Sequence, residues 1–333
     1  MRSTTCLLMR FGWLAGLAGA AFPCPGQSAG GQPQALYSTG FEFSEGYDPR
    51  YTLVGQNGWV SDGSGSNGLL TNFFQGDGQQ AFLGYSPPDG TNATLNVWHP
   101  INYVPAGTNG TLVTFSALLA ITDSSNTNWD DFRWSAYNFY TNAVGTNTLG
   151  ASRLFSLDFD NYYLTINYAL DDGKGFVSTG VSFTNSVMYQ LVISMDFQNN
   201  LWSATVNGVN VVNAKPITTA NAVLTLGDVD AVWAIYDPAN PGDNYMVFDN
   251  YKLSAQSAPS IAPSLQTVGL MSNGQFLLQV YGAPGAAYTI ESSSDLLTWL
   301  PRTTLNSSNG VMDFLDTNAP GASAKFYRAR SAP

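Results

Sequence analysis

Residues 153–170 read RLFSLDFDNYYLTINYAL, and this stretch decides the fold class. In its first half, apolar and polar side chains alternate from Phe155 to Phe159. Asp160 and Asn161 predict a turn, after which a second alternating run extends from Tyr162 to Tyr168. Successive side chains of a β-strand point to opposite faces, so two such runs joined by a turn predict a β-hairpin with one buried face.

The same pattern recurs along most of the chain. Apolar residues alternate with polar ones from Tyr189 to Met195, and a returning run extends from Leu201 to Val206. Asn207-Gly208 then precedes a further run, and Asn-Gly between alternating runs is the strongest short hairpin signal. Turn residues recur about every ten residues, and almost no segment has a helical period. The sequence therefore predicts an all-β protein.

The first 28 residues have the features of an export signal. Arg2 and Arg10 supply positive charge, residues 11–22 form a short apolar stretch, and Gly26-Gln27-Ser28 fits the small-residue cleavage rule. The apolar stretch is shorter than the roughly 20 residues that span a bilayer. We therefore predict a secreted or cell-surface protein whose mature chain does not insert into a membrane. An uncleaved N-terminal anchor is the alternative.

Removal of this segment changes the chemistry that is available. Cys6 and Cys24 both precede the cut, so the mature chain would have no disulfide, thiol nucleophile or cysteine metal site. The whole chain has a net charge of −11. Without Arg2 and Arg10 it keeps 10 basic and 23 acidic residues, a net charge of −13. Such a surface repels phosphate backbones, so nucleic acid is not an expected partner.

Composition divides the mature chain into two parts. Residues 36–254 predict one large sandwich domain, and residues 255–264, rich in Ala, Ser and Pro, predict a linker. Residues 265–333 contain five or six short alternating runs and predict a small β-sandwich module of the Ig-like or fibronectin-III-like type. We expect a monomer.

Three segments carry a resemblance to a known superfamily. Residues 189–208, YQLVISMDFQNNLWSATVNG, resemble a hairpin of the concanavalin A-like lectin and glucanase superfamily, in its LamG-like branch. Phe41-Glu42-Phe43 and Phe248-Asp249-Asn250-Tyr251 resemble the first and last strands of that group. The resemblance covers residues 36–254 and implies a jelly-roll sandwich. Residues 265–333 look like a β module that is appended to exported proteins of environmental bacteria.

Several catalytic classes lack their residues. His99 is the only histidine, and no G-x-S-x-G segment accompanies it, which argues against a Ser-His-Asp triad and against ordinary zinc sites. The superfamily's glucanases carry an E-x-D-x-x-E strand. This chain has three glutamates, Glu42, Glu45 and Glu291, and none lies in that pattern. The superfamily's catalytic residues therefore cannot be transferred to this chain.

Two aspartate pairs keep an enzymatic alternative open. Asp158 and Asp160 form D-x-D, as do Asp228 and Asp230, and residues i and i+2 of a strand share a face. Two carboxyl groups about 5–9.5 Å apart can hydrolyse a glycosidic bond. The ordinary interpretation of such pairs is a solvated sheet face with Asp160 in a turn.

Calcium is another use for these oxygen atoms, because Ca²⁺ takes six to eight oxygen ligands. Related sandwiches tie the first strand to the last with a structural calcium, so the resemblance implies Glu42, Asp249 and Asn250 as metal ligands. A second group lies in the loop of residues 237–244, which contains four Asp and Asn residues. The alternative for both groups is an acidic edge and a loop rich in turn formers.

Residues 126–140 are the densest aromatic segment. If Phe132 and Trp134 face the core, alternation places Arg133 and Tyr137 on the other face, with Trp129 at the start of the strand. Sugar rings bind to exposed aromatic faces beside amides and carboxylates. The candidate ligand-binding residues are Trp129, Asp130, Asp131, Arg133, Tyr137, Asn161 and Tyr163. The alternative is that these aromatic residues belong to the core and to cross-strand pairs.

These observations leave three hypotheses. The first is an exported, non-catalytic, lectin-like module that contacts polysaccharide or glycan. The second is an extracellular glycosidase or polysaccharide lyase with an atypical aspartate-based site. The third is a structural or adhesive surface protein that attaches through residues 265–333. The missing glutamate pair favours the first over the second.

Overall fold

The computed structural model describes most of the chain and divides it into two compact units. One unit comprises residues 32–258, and the other comprises residues 259–333 together with residues 1–31. The described residues are 4–7, 21–22, 33–63, 65–86, 93–105, 110–141, 148–256, 263–271, 275–282, 287–306, 310–317 and 325–331.

Strands account for nearly all the regular structure of the described residues, which also include one short 3₁₀ helix at Phe43–Glu45. The strands are β1 (Thr4–Leu7), β2 (Ala21–Phe22), β3 (Gln34–Thr39), β4 (Val60–Asp62), β5 (Asn67–Thr71), β6 (Gln79–Gly84), β7 (Thr94–Trp98), β8 (Leu112–Thr122), β9 (Asp131–Tyr137), β10 (Tyr140–Thr141), β11 (Thr148–Gly150), β12 (Arg153–Asp160), β13 (Thr165–Leu170), β14 (Val177–Ser182), β15 (Tyr189–Asp196), β16 (Leu201–Val206), β17 (Val209–Pro216), β18 (Asp228–Ala234), β19 (Tyr245–Gln256), β20 (Ser264–Leu270), β21 (Phe276–Tyr281), β22 (Ala287–Ser293), β23 (Leu300–Asn306), β24 (Val311–Asp316) and β25 (Phe326–Ser331).

Two large antiparallel sheets form the unit of residues 32–258. One sheet has the strand order β14-β13-β12-β9-β18-β7-β4. The other has the order β17-β16-β15-β8-β19-β6-β5, and β3 also pairs with β19. Neighbours in each sheet are often far apart in sequence, as in a jelly roll rather than a simple meander. The predicted all-β jelly-roll sandwich is confirmed.

Aromatic side chains fill the space between the two sheets. Trp134 of β9 is fully buried against Phe115 of β8 and Phe248 of β19, with ring centroids 5.0 and 5.3 Å apart. The hydroxyl of Tyr251 donates a hydrogen bond of 2.9 Å to the carbonyl of Val229 in the opposite sheet. The predicted inward face of β9 is thus part of the core, which leaves its other face for polar groups.

The predicted hairpins differ in how well they match. The β15–β16–β17 series is confirmed, and its Asn207-Gly208 turn has positive φ at both residues, as a type I′ turn requires. In the hairpin of residues 153–170, the prediction that the second strand begins at Tyr162 is wrong. β13 begins only at Thr165, because the Asp160 carboxylate accepts the backbone N–H groups of Tyr162 and Tyr163 and folds both tyrosines into the turn.

The C-terminal unit has its own small core between two sheets. Strands β20, β21 and β24 form one sheet, and β22, β23 and β25 belong to the other. Phe276 stacks on Tyr327 with centroids 5.7 Å apart. Buried Glu291 pairs with Arg328 at 2.6 Å and with Arg330 at 2.8 Å. The Ig-like or fibronectin-III-like type of this module stays a prediction.

The predicted linker and the predicted signal peptide can each be compared with the described strands. β19 extends to Gln256 and β20 begins at Ser264, so residues 257–262 of the predicted linker lie outside the described residues. Within the predicted signal peptide only β1 and β2 are described, and β1 pairs with β25. Cleavage after residue 28 stays a prediction. No helix in the described part of the chain is long and apolar enough to cross a membrane.

Candidate functional site

Three loops meet at one end of the seven-stranded sheet. β12, β9 and β18 are neighbours, and β9 is antiparallel to both. The start of β9 at Asp131 therefore lies beside the end of β12 at Asp160 and directly opposite Ala234, the end of β18. The loops that precede β9, follow β12 and follow β18 are brought together by this register.

These loops enclose a cavity. Its volume is about 420 Å³, within the range of small-molecule sites. It is lined by Thr127, Asn128, Trp129, Asp130, Asp131, Asp160, Tyr162, Tyr163, Tyr236, Asp237 and Asn240. Aromatic rings, carboxylates and amides therefore share one concave surface, which we call the aromatic cavity.

Three tyrosines of the aromatic cavity are unusually exposed. Tyr162 is 65% exposed, Tyr163 is 72% exposed and Tyr236 is 87% exposed. The rings of Tyr162 and Tyr163 pack edge to face with centroids 4.8 Å apart. Large aromatic side chains clustered at the surface of a soluble domain mark an interaction site more often than isolated ones do.

Trp129 is held in a fixed orientation in the same cavity. Its indole Nε1 donates a hydrogen bond of 3.0 Å to Asp123 Oδ1, and its ring lies edge to face on Tyr162 at 5.8 Å. Thr127, two residues earlier, has a φ of 66°, which is rare for a β-branched residue. This conformation is maintained by the loop's own hydrogen bonds, so the indole is positioned before any ligand arrives.

Asp243 fastens that loop to the connection between β18 and β19. Its carboxylate accepts hydrogen bonds from the Ser124 hydroxyl, and from the backbone and the hydroxyl of Ser125, at 2.5–2.7 Å. Bonds from the Ser125 and Ser124 side chains lower the pKa of Asp243 to about 2. This carboxylate therefore stays ionised and holds the two loops together. Because its oxygens accept these hydrogen bonds, it is less available as a calcium ligand in the loop of residues 237–244.

Asp130 lines the aromatic cavity, yet both of its carboxylate oxygens are already engaged. Oδ2 accepts from Trp233 Nε1 at 3.1 Å and from the Gly242 amide at 2.8 Å. Oδ1 accepts from the Tyr236 amide at 3.0 Å. Asp130 therefore positions the loop that carries Tyr236. Burial raises its pKa, and these three donors oppose that rise.

Asp131 and Asn161 form the join between two of the loops. The backbone N–H of Asn161 donates a hydrogen bond of 3.0 Å to Asp131 Oδ1. Burial, followed by the nearby charge of Asp158, raises the pKa of Asp131 to about 7. The side-chain amide of Asn161 is buried and has no hydrogen-bond partner among the described groups. A buried amide without a partner is costly unless something else satisfies it.

Arg133 and Tyr137 belong to a different surface. They line a second cavity of about 340 Å³ on the outer face of the seven-stranded sheet, with Ser135, Arg153 and Phe176 among its other residues. Arg133 Nε bonds Asp158 Oδ1 at 2.7 Å, and its guanidinium lies 4.5 Å from the centre of the Phe176 ring. The seven predicted ligand-binding residues are thus divided: Trp129, Asp130, Asp131 and Tyr163 line the aromatic cavity, Asn161 lies buried beside it, and Arg133 and Tyr137 lie elsewhere.

The carboxylates of both aspartate pairs are engaged in contacts within the sheet and its turns. Asp158 is buried and bound to Arg133 and Asn167, while Asp160 holds the amides of the tyrosine turn. Asp228 and Asp230 hydrogen-bond to each other, which is closer than the roughly 5 Å that separates the carboxyls of retaining enzymes. The expectation that these carboxylates are solvated is wrong for Asp158 and Asp230, which are both buried.

His99 has a local packing role. Its ring stacks on Tyr37 with centroids 3.8 Å apart and an interplanar angle of 14°. Burial lowers its pKa, so the imidazole is neutral at physiological pH.

The predicted calcium ligands surround Gly40. A Cβ built on Gly40 would lie 3.8 Å from Asp249 Oδ1, 3.9 Å from Asn250 Oδ1 and 3.8 Å from Glu42 Cγ. Burial raises the pKa of Asp249 to about 7, and the charges of Asp77 and Glu42 act in the same direction. None of the ion pairs in the described part of the chain involves the carboxylates of Glu42, Asp77 or Asp249.

This oxygen-rich, cation-poor group fits the chemistry of Ca²⁺. Among the described residues, however, no three His, Cys, Asp or Glu side chains are arranged to hold a metal ion by themselves. A calcium here would need Glu42 and Asp249 together with the Asn250 amide, backbone carbonyls and water.

Several residues of the aromatic cavity were missed by the sequence analysis. Tyr162 was assigned to a strand, and Tyr236 was not considered because it follows a buried strand without any alternation. The sequence Asp160-Asn161-Tyr162-Tyr163 could have indicated the exposed tyrosines. An Asp followed by Asn is typical of a side-chain-capped turn, and such a turn exposes the next two residues.

No protein-family model matches the chain, and no curated protein matches it. Solved structures resemble it in the arrangement of strands. A sialidase is aligned with 67% of this chain at 10% identity and a TM-score of 0.42, and the chain spans 19% of that protein's length. A protein of unknown function with a galectin-like fold from Bacillus subtilis is 11% identical, with a TM-score of 0.43, over 69% of this chain and 99% of its own. The basic winged bean lectin, solved with Tn-antigen, is 12% identical, with a TM-score of 0.41, over 66% of this chain and 97% of its own.

Proposed function

We propose that this chain is an exported glycan-binding protein whose binding site is the aromatic cavity. The observation that carries the proposal is the cluster of Tyr162, Tyr163 and Tyr236, all mostly exposed, beside Trp129 in a cavity of about 420 Å³. Four aromatic rings at one set of surface loops add little to the core of a β-sandwich, and such exposed clusters mark interaction sites.

The chemistry of the cavity suits a sugar. A pyranose ring offers an apolar C–H face to an aromatic ring and hydroxyl groups to amides and carboxylates. Asn128 and Asn240 line the cavity beside the tyrosines and supply both donors and acceptors. Asn161, buried without a partner next to the cavity, is a further amide for a hydroxyl group that reaches the turn.

Binding without cleavage is the part of the proposal that rests on the missing glutamates. Glu42, Glu45 and Glu291 do not form the E-x-D-x-x-E strand of the superfamily's glucanases. In the cavity, Asp130 is saturated by three donors. Asp131 and Asp160 each keep one oxygen without a hydrogen bond in the described part of the chain, so they are the carboxyls to replace if cleavage is found. We propose binding rather than glycosidase or lyase activity.

Truncation of the aromatic side chains tests the site. We expect Tyr236→Ala and Trp129→Ala to weaken binding to the best glycan of a polysaccharide and oligosaccharide panel by about tenfold or more, because each removes a stacking surface. Tyr51→Ala is the matched control, since Tyr51 is 64% exposed but does not line the cavity. Affinity is measured by titration calorimetry, and reducing-end release is measured on the same panel.

Equal losses in Tyr236→Ala and Tyr51→Ala would contradict the proposed site. Release of reducing ends by pure protein would contradict the non-catalytic part of the proposal and reopen the aspartate-based enzyme.

We also propose one structural calcium at Glu42, Asp249 and Asn250. A cation there would relieve the like charges around Asp249, whose pKa is raised to about 7. We expect 5 mM Ca²⁺ to raise the melting temperature by several degrees over a chelated sample, by stabilising only the folded state. The shift should be lost in Asp249→Asn and kept in the surface control Asp172→Asn. A shift that Asp249→Asn retains would place the calcium elsewhere.

A further inference from the structure

We infer that the aromatic cavity selects glycans whose sugars carry free ammonium groups, such as polymers of 2-amino-2-deoxy sugars. This inference rests on the proposed function and adds the ligand class to it. It comes from the charges of the cavity, which all have one sign, and from the way the aromatic faces are combined with them.

Acidic groups are the only charged groups among the described residues that line the cavity. They are Asp130, Asp131, Asp160 and Asp237, and no Lys or Arg lines it. Asp123, which accepts the Trp129 indole hydrogen bond, adds a further carboxylate behind that ring. The net charge of the chain, −11, attracts cations over a longer range.

The positive charge of Arg133 does not cancel this field. Arg133 Nε is bound to buried Asp158 at 2.7 Å, and Arg133 Nη2 lies 3.9 Å from Asp131 Oδ2. Its guanidinium also stacks on Phe176, outside the aromatic cavity. One guanidinium thus faces two carboxylates, and a negative excess remains at the cavity.

Two of the four lining carboxylates have capacity left for a ligand. Asp160 uses only Oδ1 for the turn amides, and its Oδ2 accepts no hydrogen bond in the described part of the chain. Asp131 accepts one amide hydrogen bond at Oδ1, while Oδ2 has only the long contact with Arg133. By contrast, both oxygens of Asp130 are occupied by donors from β18 and the loop that follows it, and both oxygens of Asp237 are occupied by donors of its own loop.

Exposed aromatic faces add to the attraction for a cation. The negative face of an aromatic ring attracts an ammonium group, and a nearby carboxylate adds its own attraction for the same charge. Tyr162 and Tyr163 follow Asp160 after one intervening residue, Asn161, so the rings and the free carboxylate oxygen come from one turn. The same arrangement repels uronates and sulfated sugars, which gives selectivity against anionic glycans.

Three tetrasaccharides test the inference. The first is the N-acetylglucosamine tetramer, which is neutral. The second is the N,N,N-trimethylglucosamine tetramer, which has the same backbone and a positive charge that does not titrate; having no N–H to donate, it tests the charge of the ammonium group alone. The third is tetragalacturonic acid, which is anionic. Affinities for the full chain are measured at pH 8 in 50 mM and in 500 mM NaCl.

We expect the cationic tetramer to bind about tenfold more tightly than the neutral one in low salt, and this ratio to fall several-fold in high salt. In the double variant Asp131→Asn, Asp160→Asn the ratio should fall to about twofold, because asparagine keeps the turn acceptor but removes the charge. The control Asp172→Asn, an exposed aspartate away from the cavity, should keep the wild-type ratio.

The outcomes separate the two levels of the proposal. Equal binding of the neutral and cationic tetramers, or tighter binding of the anionic one, would overturn the charge selectivity and leave glycan binding in place. A cationic preference that the double variant retains would place the cation elsewhere and overturn the inference. Absence of binding to all three tetramers and to the whole polysaccharide panel would overturn the proposed function itself.

Discussion

The Asp130→Ala variant is expected to lose about 3–5 kcal/mol of folding stability and to bind glycan at least tenfold more weakly. Removing the carboxylate leaves three donors without an acceptor: Trp233 Nε1 and the amides of Tyr236 and Gly242. Because Tyr236 is held by one of these bonds, its loop should also lose its position. Urea denaturation measures the stability loss, and calorimetry measures the affinity.

Two further variants make this prediction specific. Asp237→Ala removes an exposed carboxylate that bonds only Ala239 and Asn240 of its own loop, so it should leave the free energy of unfolding close to the wild-type value. Asp130→Asn keeps one acceptor oxygen and should be intermediate. If Asp130→Ala proves as stable as Asp237→Ala, the loop is held by other contacts and this description of Asp130 is wrong.

The Asp230→Asn variant should have the opposite effect and stabilise the protein at neutral and alkaline pH. Burial, followed by the charge of neighbouring Asp228, raises the pKa of Asp230, and Asp228 itself has a pKa of about 6. One oxygen of each carboxyl lacks a hydrogen-bond partner among the described groups. Replacing one member by an amide removes the repulsion and retains a donor for the other.

The pH dependence of that gain follows from the sign of the shift. A carboxyl whose pKa is raised on folding favours the folded state while it is protonated, and this contribution is lost as the pH rises through the folded-state pKa. Wild-type stability should therefore fall between about pH 4 and pH 7. Asp228, whose pKa burial raises to about 6, accounts for this fall, and buried Asp230, whose pKa is raised well above its usual range, continues it at higher pH. The contribution of Asp230 is the part that Asp230→Asn removes.

Melting temperatures of both proteins at pH 4.5 and pH 8 provide the test. We expect Asp230→Asn to melt several degrees above the wild type at pH 8 and close to it at pH 4.5. Asp172→Asn, an exposed control, should track the wild type at both values. A uniform gain at both pH values would mean that the repulsion between Asp228 and Asp230 is not its cause.

The fold was predictable because the signals that determine it are local. Alternation placed Phe132 and Trp134 in the core, and Asn207-Gly208 specified its turn. Two-residue periodicity reports burial of one face, and burial is what a sandwich requires of each strand. Neighbour relations between strands were not accessible in this way, since β9 pairs with β12 and with the distant β18.

The site was predictable only in part, for the same physical reason. Trp129 and Asp131 were found because they precede an aromatic strand, and both line the aromatic cavity. Tyr236 comes from a loop about a hundred residues away that only the tertiary fold brings near. Arg133 and Tyr137 were grouped with Trp129 by sequence proximity, but their side chains project from the outer sheet face, whereas Trp129 lies in a loop at the end of the sheet.

A crystal structure of the protein with the tightest-binding oligosaccharide of the panel tests the proposed site most directly. We predict sugar density between Trp129, Tyr163 and Tyr236, with a hydroxyl or ammonium group within hydrogen-bond distance of Asp131 or Asp160. Density over Arg133 and Tyr137 on the outer sheet face, with the aromatic cavity empty, would contradict it.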